Sequence, residues 1–251
     1  MKPLAFAVAL TIPWLWSCDS QPTQPSDAGE QNTVSSASLT EQLNRTPRFD
    51  PNNFVRAVDN PLFPLRPGTR FVYEGVEDGE SEVNITIVTP DRKSILGVSA
   101  IVVLDRVFVH GELTEKTFDW YAQDRQGNVW YMGEDSLELK NGRFVRASDS
   151  WQAGVKGAKP GIIMRGRPRA GAVYRQEYYP PGGALDQARV LGLSDSIRVS
   201  AGTFRRPLVT IEWSPVEPQL EKKYYVAGIG EVMEKVVEGG HEQFQLAKVT
   251  R

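Results

Sequence analysis

Residues Phe118 to Asp135 read FDWYAQDRQGNVWYMGED, two runs of aromatic and acidic side chains separated by Asp124-Arg125-Gln126-Gly127. Along a strand, successive side chains point to opposite faces. Phe118, Trp120 and Ala122 then share one face and Asp119, Tyr121 and Gln123 the other, with one face in the core and one wet. Asp124 can cap the amides of its own turn, and Gly127 can take a positive φ. Trp130 and Tyr131 must face opposite ways, which leaves one ring free to lie on the neighbouring strand beside Tyr121. The stretch is therefore expected to be a β-hairpin.

The two-residue beat extends in both directions from this hairpin. Upstream, Thr69 to Glu74 and Glu82 to Thr89 read as strands around a turn at Glu77 to Glu80, with Val83, Ile85 and Ile87 on one face and Asn84, Thr86 and Val88 on the other. Ile95 to Val109 is β-branched and long enough for one bent strand or two short ones. His110-Gly111 and Asn141-Gly142 are tight-turn signals, the second in the form favoured by type I′ hairpins. Downstream of a Gly/Pro-rich excursion over Trp151 to Gly171, strands are expected at Val173 to Tyr179, Ile197 to Val199, Leu208 to Trp213, Glu221 to Val226, Glu231 to Val237 and Gln243 to Val249. Ala184 to Leu191 is the one short helix expected. Hairpins following one another without helical crossovers make an antiparallel meander. The fold class is thus all-β: a single antiparallel curved sheet or incomplete β-barrel, with a two-sheet β-sandwich as the alternative.

The N-terminal fifth has a different character. Pro3 to Trp16 (PLAFAVALTIPWLW) is almost wholly apolar, follows Lys2, contains Pro13, and is short of the roughly 20 residues of a spanning helix. It ends in Leu15-Trp16-Ser17-Cys18, which resembles the bacterial lipobox, whose cysteine is acylated and becomes the new N-terminus. Cys18 is the single cysteine in the chain, so it has no intramolecular disulfide partner. Residues 1–17 are expected to be a lipoprotein signal peptide. Residues 18–48, rich in Ser, Thr, Gln and Pro, are expected to be a flexible tether, because they carry too little apolar area to offset the entropy of ordering. Residues 49–251 form the β domain, opened by a lead-in in which Pro51, Pro61, Pro64 and Pro67 forbid a continuous helix and which packs Phe54, Leu62 and Phe63 onto the sheet.

With 40% hydrophobic and 24% charged residues among 251, the chain can build a real core. Its net charge of −2 lacks the basic footprint that nucleic acid requires. No nucleophile elbow or phosphate-cradling glycine loop is present, and no cofactor is indicated. His110 and His241 fall in turns without metal-ligand spacing, so no metal site is expected. Two candidate surfaces remain for a ligand. One joins Asp119, Glu134 and Asp135 to Tyr121 and Tyr131; the other is Gln176-Glu177-Tyr178-Tyr179, where Glu177 and Tyr178 precede a Pro/Gly loop. Two carboxyls flanking a glycosidic bond could support hydrolysis. The cluster Arg165-Gly166-Arg167-Pro168-Arg169 could touch phosphates or acidic headgroups.

DNPLFPLRPGTRFVYEG, DWYAQDRQGNVWYMGED, GIIMRGRPRAGAVYRQEYYP and YYVAGIGEV together resemble a family of uncharacterised bacterial secreted proteins and lipoproteins, over nearly the whole domain from Phe49. AGTF followed by KKYYVAGIGEV is similar to a strand pair in envelope lipoproteins whose curved sheet wraps a hydrophobic groove. The family resemblance carries no activity with it, and the second similarity bears on the fold. The lipobox and the tether lead to the expectation of a protein of the cell envelope, membrane-anchored through Cys18 and facing the periplasm or exterior, and the curved sheet to one that binds an apolar ligand or an envelope protein without catalysis. A cell-wall hydrolase using Asp119, Glu134, Asp135 or Glu177 and a structural assembly factor are the alternatives.

Overall fold

A computed structural model describes Leu43, residues 47–77 and residues 79–251. The expected signal peptide, Cys18 and most of the tether lie outside the described residues. The chain enters through a single 3-10 turn, Pro51–Asn53, N-capped by Asp50, whose carboxylate accepts from the Asn52 amide at 2.9 Å. The strands follow as β1 (Phe54–Val55), β2 (Arg70–Glu77), β3 (Glu80–Ile95), β4 (Val98–Val109), β5 (Glu112–Asp124), β6 (Val129–Lys140), β7 (Arg143–Arg146), β8 (Trp151–Gln152) and β9 (Lys159–Met164). Then come β10 (Val173–Arg175), β11 (Glu177–Tyr178), β12 (Gln187–Leu193), β13 (Ser196–Val199), β14 (Gly202–Arg205), β15 (Leu208–Trp213), β16 (Leu220–Val226), β17 (Gly230–Glu238) and β18 (Gln243–Thr250).

The main ladder runs β10-β12-β15-β16-β17-β18-β2-β3-β4-β5-β6-β9-β11, and every pair in it is antiparallel. Its two ends, β10 and β11, are consecutive in the chain with only Gln176 between them. One short run therefore pairs with β12 through its first half and with β9 through its second, so the sheet curls into a nearly closed barrel. β13 and β14 form a separate hairpin.

The hairpin turns at His110-Gly111 and Asn141-Gly142 stand as expected, with φ of 51° and 82° at the first pair and 53° and 74° at the second. Two expectations are corrected. Thr89-Pro90 does not end a strand: β3 continues through the proline by a register shift between Val88 and Arg92, and turns at Leu96-Gly97 instead. Proline is tolerated there because the irregularity frees its position from the ladder. Ala184 to Leu191 is not a helix either, since Gln187–Leu193 is β12, held between β10 and β15 with Ala188 and Val190 buried two residues apart.

The closed sheet decides which face of β3 turns inward. Glu82, Asn84, Thr86 and Val88 are buried, whereas Val83, Ile85 and Ile87 are half-buried. The cross-strand partners carry the same assignment round the barrel, for Phe71 faces Thr86, Tyr73 faces Asn84 and Val103 faces Val88. The lumen of this wall is thus rich in polar groups, and much of its outside is aliphatic.

The proline-rich lead-in covers both surfaces. Phe49 and Phe54 pack on Trp130, with ring centroids 5.7 and 5.8 Å away, on the outer side of β6. Phe63 and Leu65 join the core, with Phe63 edge-on to Tyr121 at 5.2 Å. Gln123 Oε1 accepts from the amides of Asp59 and Asn60, and Asn60 reaches the carbonyls of Gly127 and Arg165. The segment that cannot join the sheet has its backbone donors satisfied by side chains of the sheet.

Candidate functional site

The opening hairpin is β5 and β6, and its geometry is set by an irregularity. Asp119 pairs with Glu134 and Tyr121 with Tyr131, so the register shifts between them. Gly133 sits in the shift at φ 127°, and a Cβ there would lie 2.3 Å from the Trp151 carbonyl, which only glycine permits. The shift brings Tyr131 and Glu134 to the same lumenal side as Asp119 and Tyr121. The two tyrosine rings stack at 4.8 Å with planes 17° apart, and Trp151 of β8 closes edge-on against Tyr131 at 5.4 Å.

The Tyr131 hydroxyl lies 2.5 Å from Asp119 Oδ1 and 2.6 Å from Glu134 Oε2. One hydroxyl carries one proton and cannot donate to both carboxylates, so the second contact needs a proton on a carboxyl group. Burial, with the neighbouring Glu134 and Asp105, raises Asp119 well above the ordinary aspartate value, which favours its protonated form. Burial and these same carboxyls hold Tyr121 and Tyr131 far above the usual phenol range. Glu115, four residues upstream of Asp119 on the same face, is pushed up to about 7 by burial, with Glu134 and Asp105 adding to it.

Sequence reasoning placed these groups on a surface; the structure places them inside. Asp119 is 2% exposed, Glu134 1% and Glu177 2%. An open sheet would leave one face wet, but this one curls and turns that face inward. Tyr121 and Tyr131 are fully buried, and Tyr121 lies beside Tyr131 as expected. Asp135 does not join the group: it points outward opposite Phe118 and binds Arg146 Nε at 2.5 Å. Tyr178 is half-buried apart from the cluster, beneath Lys159 and Arg175, whose charged groups lie 5.0 and 4.7 Å from its ring. With Phe63 on one side and Trp151 on the other, the carboxyls do not line a cleft that a polymer could enter. Among the described residues, no group of three or more His, Asp or Glu side chains is close enough to hold a metal ion.

A second charged cluster, on β15, β16 and β17, was not foreseen. Lys223 Nζ, 3% exposed as a residue, lies 3.1 Å from Glu234, 3.5 Å from Glu212 and 3.7 Å from Glu221. Tyr225 and Thr210 donate to Glu212 Oε1, and Gln176 Nε2 donates to its other oxygen at 2.9 Å. Burial alone would lower Lys223, but Glu234, Glu212 and Glu221 raise it well above its ordinary value. Glu231 is pushed up to about 8 by burial, an effect that Lys223 opposes. Each residue looks like a solvated strand charge in the sequence. Only the cross-strand register, Thr210 with Lys223 and Lys223 with Glu234, assembles them.

The small apolar recess between the lead-in and β2, lined by Phe63, Leu65, Phe71 and Ile229, has a volume of about 20 Å³. That is space for one water-sized group. Outside, Ile87, Leu104 and Phe118 form a continuous cross-strand row over β3, β4 and β5, and Val83 faces Phe108 beside it. All five are half-buried. Arg106 lies over Phe108 at 5.8 Å and Lys116 over Phe144 at 4.6 Å, so cations fringe the row.

No family profile matches the sequence, and no curated protein does. Among solved structures, the chain is similar to one from Bacteroides fragilis assigned as an exported protein with a YmcC-like fold, at 12% identity and a TM-score of 0.41, over 76% of this chain and 99% of that one. It is also similar to one from Parabacteroides distasonis assigned as a lipoprotein, at 12% identity and a TM-score of 0.41, over 78% of this chain and 100% of that one.

Proposed function

We propose that this protein is a lipoprotein of the bacterial envelope, anchored through acylated Cys18, whose domain acts without catalysis by docking a partner protein on the outer face of β3, β4 and β5. The observation that carries the reading is the inversion of that wall. Its polar side chains are sealed in the lumen, and a row of aliphatic and aromatic side chains, Ile87, Leu104 and Phe118 with Val83 and Phe108, is left outside. Contiguous apolar surface on a water-facing domain marks an interaction site. The fringe of Arg106 and Lys116 suits a partner whose apolar patch has an acidic edge.

An apolar small ligand in the recess beside the lead-in fits less well, because its volume of about 20 Å³ is far below the roughly 300 Å³ of a typical ligand pocket. Hydrolysis through Asp119 and Glu134 is disfavoured by their sealing. The export reading rests on the sequence: an apolar leader that ends in Leu15-Trp16-Ser17-Cys18, with no other cysteine in the chain.

The test is photo-crosslinking in living cells from a reactive side chain placed at Leu104, compared with one at Lys222, a half-buried position on the outer side of β16. A discrete protein adduct at Leu104, lost on Ile87→Lys and not seen at Lys222, is the expected result. Equal adducts at both positions, or none at Leu104, refutes docking on this wall. The anchor is tested separately: Cys18→Ala should lose both fatty-acid labelling and membrane fractionation.

A further inference from the structure

The turn Asp124 to Asn128 and the loop that follows β9 meet at one end of the barrel. Gly166 donates its amide to Asn128 Oδ1 at 3.0 Å, and Asn60 ties the Gly127 and Arg165 carbonyls together. The approach is so close that a Cβ on Gly166 would lie 2.2 Å from the Gln126 carbonyl oxygen. Between the two loops is an open cleft of about 390 Å³ lined by Arg125, Gln126, Asn128, Arg165 and Arg167. Three arginines thus line one cavity. The nearby Asp124 carboxylate is held within its own turn by four donors, the amides of Gln126 and Asn128, Asn128 Nδ2 and Trp130 Nε1. Among the described residues, no carboxylate lies within ion-pair distance of Arg125, Arg165 or Arg167.

Arg165 is the deepest of the three. Its guanidinium sits 5.0 Å over the Tyr174 ring, one terminal nitrogen donates to the Val173 carbonyl at 3.2 Å, and its buried Nε has no partner among the described residues. Burial holds it below the ordinary arginine value, an electrostatic cost that a bound anion would offset. Arg125 and Arg167 stand exposed at the rim. A fork of N–H donors around an open cleft matches the oxygens of a phosphate group and holds them in pairs.

We propose that this arginine cleft binds a phosphate ester, and that its source is the headgroup of an anionic phospholipid. The lipid source is favoured by where the chain enters the domain. Phe49 packs on Trp130, Asn53 Nδ2 donates to Gln126 Oε1, and Arg125 donates its amide to the Asn53 carbonyl, so the segment leading back toward Cys18 crosses the same turn that carries the cleft. A domain tethered at this end presents the cleft to the membrane that holds its anchor. This orientation rests on the anchor reading given above; the cleft itself does not.

The experiment uses the full chain with Cys18→Ala, so that no acyl group contributes to binding and a failure of the anchor reading leaves the measurement intact. Sedimentation with phosphatidylglycerol vesicles is compared with sedimentation with phosphatidylcholine vesicles, and glycerol 3-phosphate is titrated by calorimetry. The expected result is salt-sensitive binding to the phosphatidylglycerol vesicles that weakens roughly fivefold for each arginine removed. Arg125→Gln/Arg165→Gln/Arg167→Gln should abolish it, and Arg143→Gln/Arg198→Gln/Arg205→Gln, which removes three exposed arginines elsewhere, should not. If the first triple variant fails to fold, Arg167→Gln alone, at an exposed position, gives the same reading at smaller amplitude. Binding of glycerol 3-phosphate without vesicle binding overturns the lipid source and keeps the phosphate site. Equal weakening by both triple variants, or no binding to either probe, overturns the site.

Discussion

The two charged clusters of the lumen lie on different walls and manage buried carboxyls by different means. Around Lys223, three glutamates lie within 4 Å of an ammonium group and Glu212 collects three further hydrogen bonds. Around Tyr131, Asp119 has no lysine or arginine partner among the described residues; it shares the Tyr131 hydroxyl with Glu134, and burial favours its protonated form. Removing one member of a buried ion pair strands its partner in a poor solvent for charge. Removing a carboxyl that already carries a proton strands nothing. The clusters should therefore respond to neutralisation of a carboxyl with losses of different size.

The largest effect is expected for Lys223→Met, which deprives Glu212, Glu221 and Glu234 of their cation. The loss should be about 3 to 5 kcal/mol in denaturant unfolding at pH 7. A loss under about 1 kcal/mol would mean that the glutamates are protonated and that the two walls work alike.

Matched neutralisations sharpen the contrast. Glu234→Gln removes the carboxylate nearest Lys223, 3.1 Å away, and should cost about 2 kcal/mol. Asp119→Asn keeps the shape and a donor toward Tyr131, and should cost less than about 0.5 kcal/mol at pH 7. Reversal of that order breaks the comparison.

A separate handle is the pH dependence. Glu115 is raised to about 7 and Glu231 to about 8, in each case chiefly by burial, so both hold protons in the folded chain that the unfolded chain has released. Stability should then fall as pH rises from about 4.5, to near 7 on account of Glu115 and near 8 on account of Glu231. The limit is about 1.4 kcal/mol per pH unit for each group. Glu115→Gln should flatten the slope between pH 5 and 7 and leave the portion between 7 and 8. A slope unchanged by this substitution would exclude Glu115 as its source.

Much of the barrel is legible in the sequence because its cues are local. His110-Gly111 and Asn141-Gly142 state their turns outright, and Leu208–Trp213 is a strand over the span that alternation assigns it. Leu96-Gly97 is hidden because a leucine at positive φ is sterically disfavoured and only the flanking ladder holds it there. Ala184 to Leu191 reads as a short helix in the sequence, until pairing of Gln187–Leu193 on both sides overrides that preference. Alternation separates Val83, Ile85 and Ile87 from Asn84, Thr86 and Val88 but does not say which set faces inward. That is decided by the closure of strands far apart in the chain. The same holds for the site: Tyr121 beside Tyr131 is legible within one hairpin, whereas Lys223 with Glu212 and Glu234, or Arg125 with Arg165, requires a register that no local signal encodes.

The pairing of β18 with β2 joins Phe244 to Gly75 and Val249 to Phe71, so the first long strand of the barrel has its last strand as a neighbour. Until the C-terminal strand is available, β2 presents a bare hydrogen-bonding edge. Contacts of such long sequence separation form slowly, because the entropy of closing the intervening chain must be overcome before they contribute. Folding of this domain is therefore a late event in the life of the polypeptide, and a chain cut short before Gln243 keeps an open edge that invites pairing with other chains.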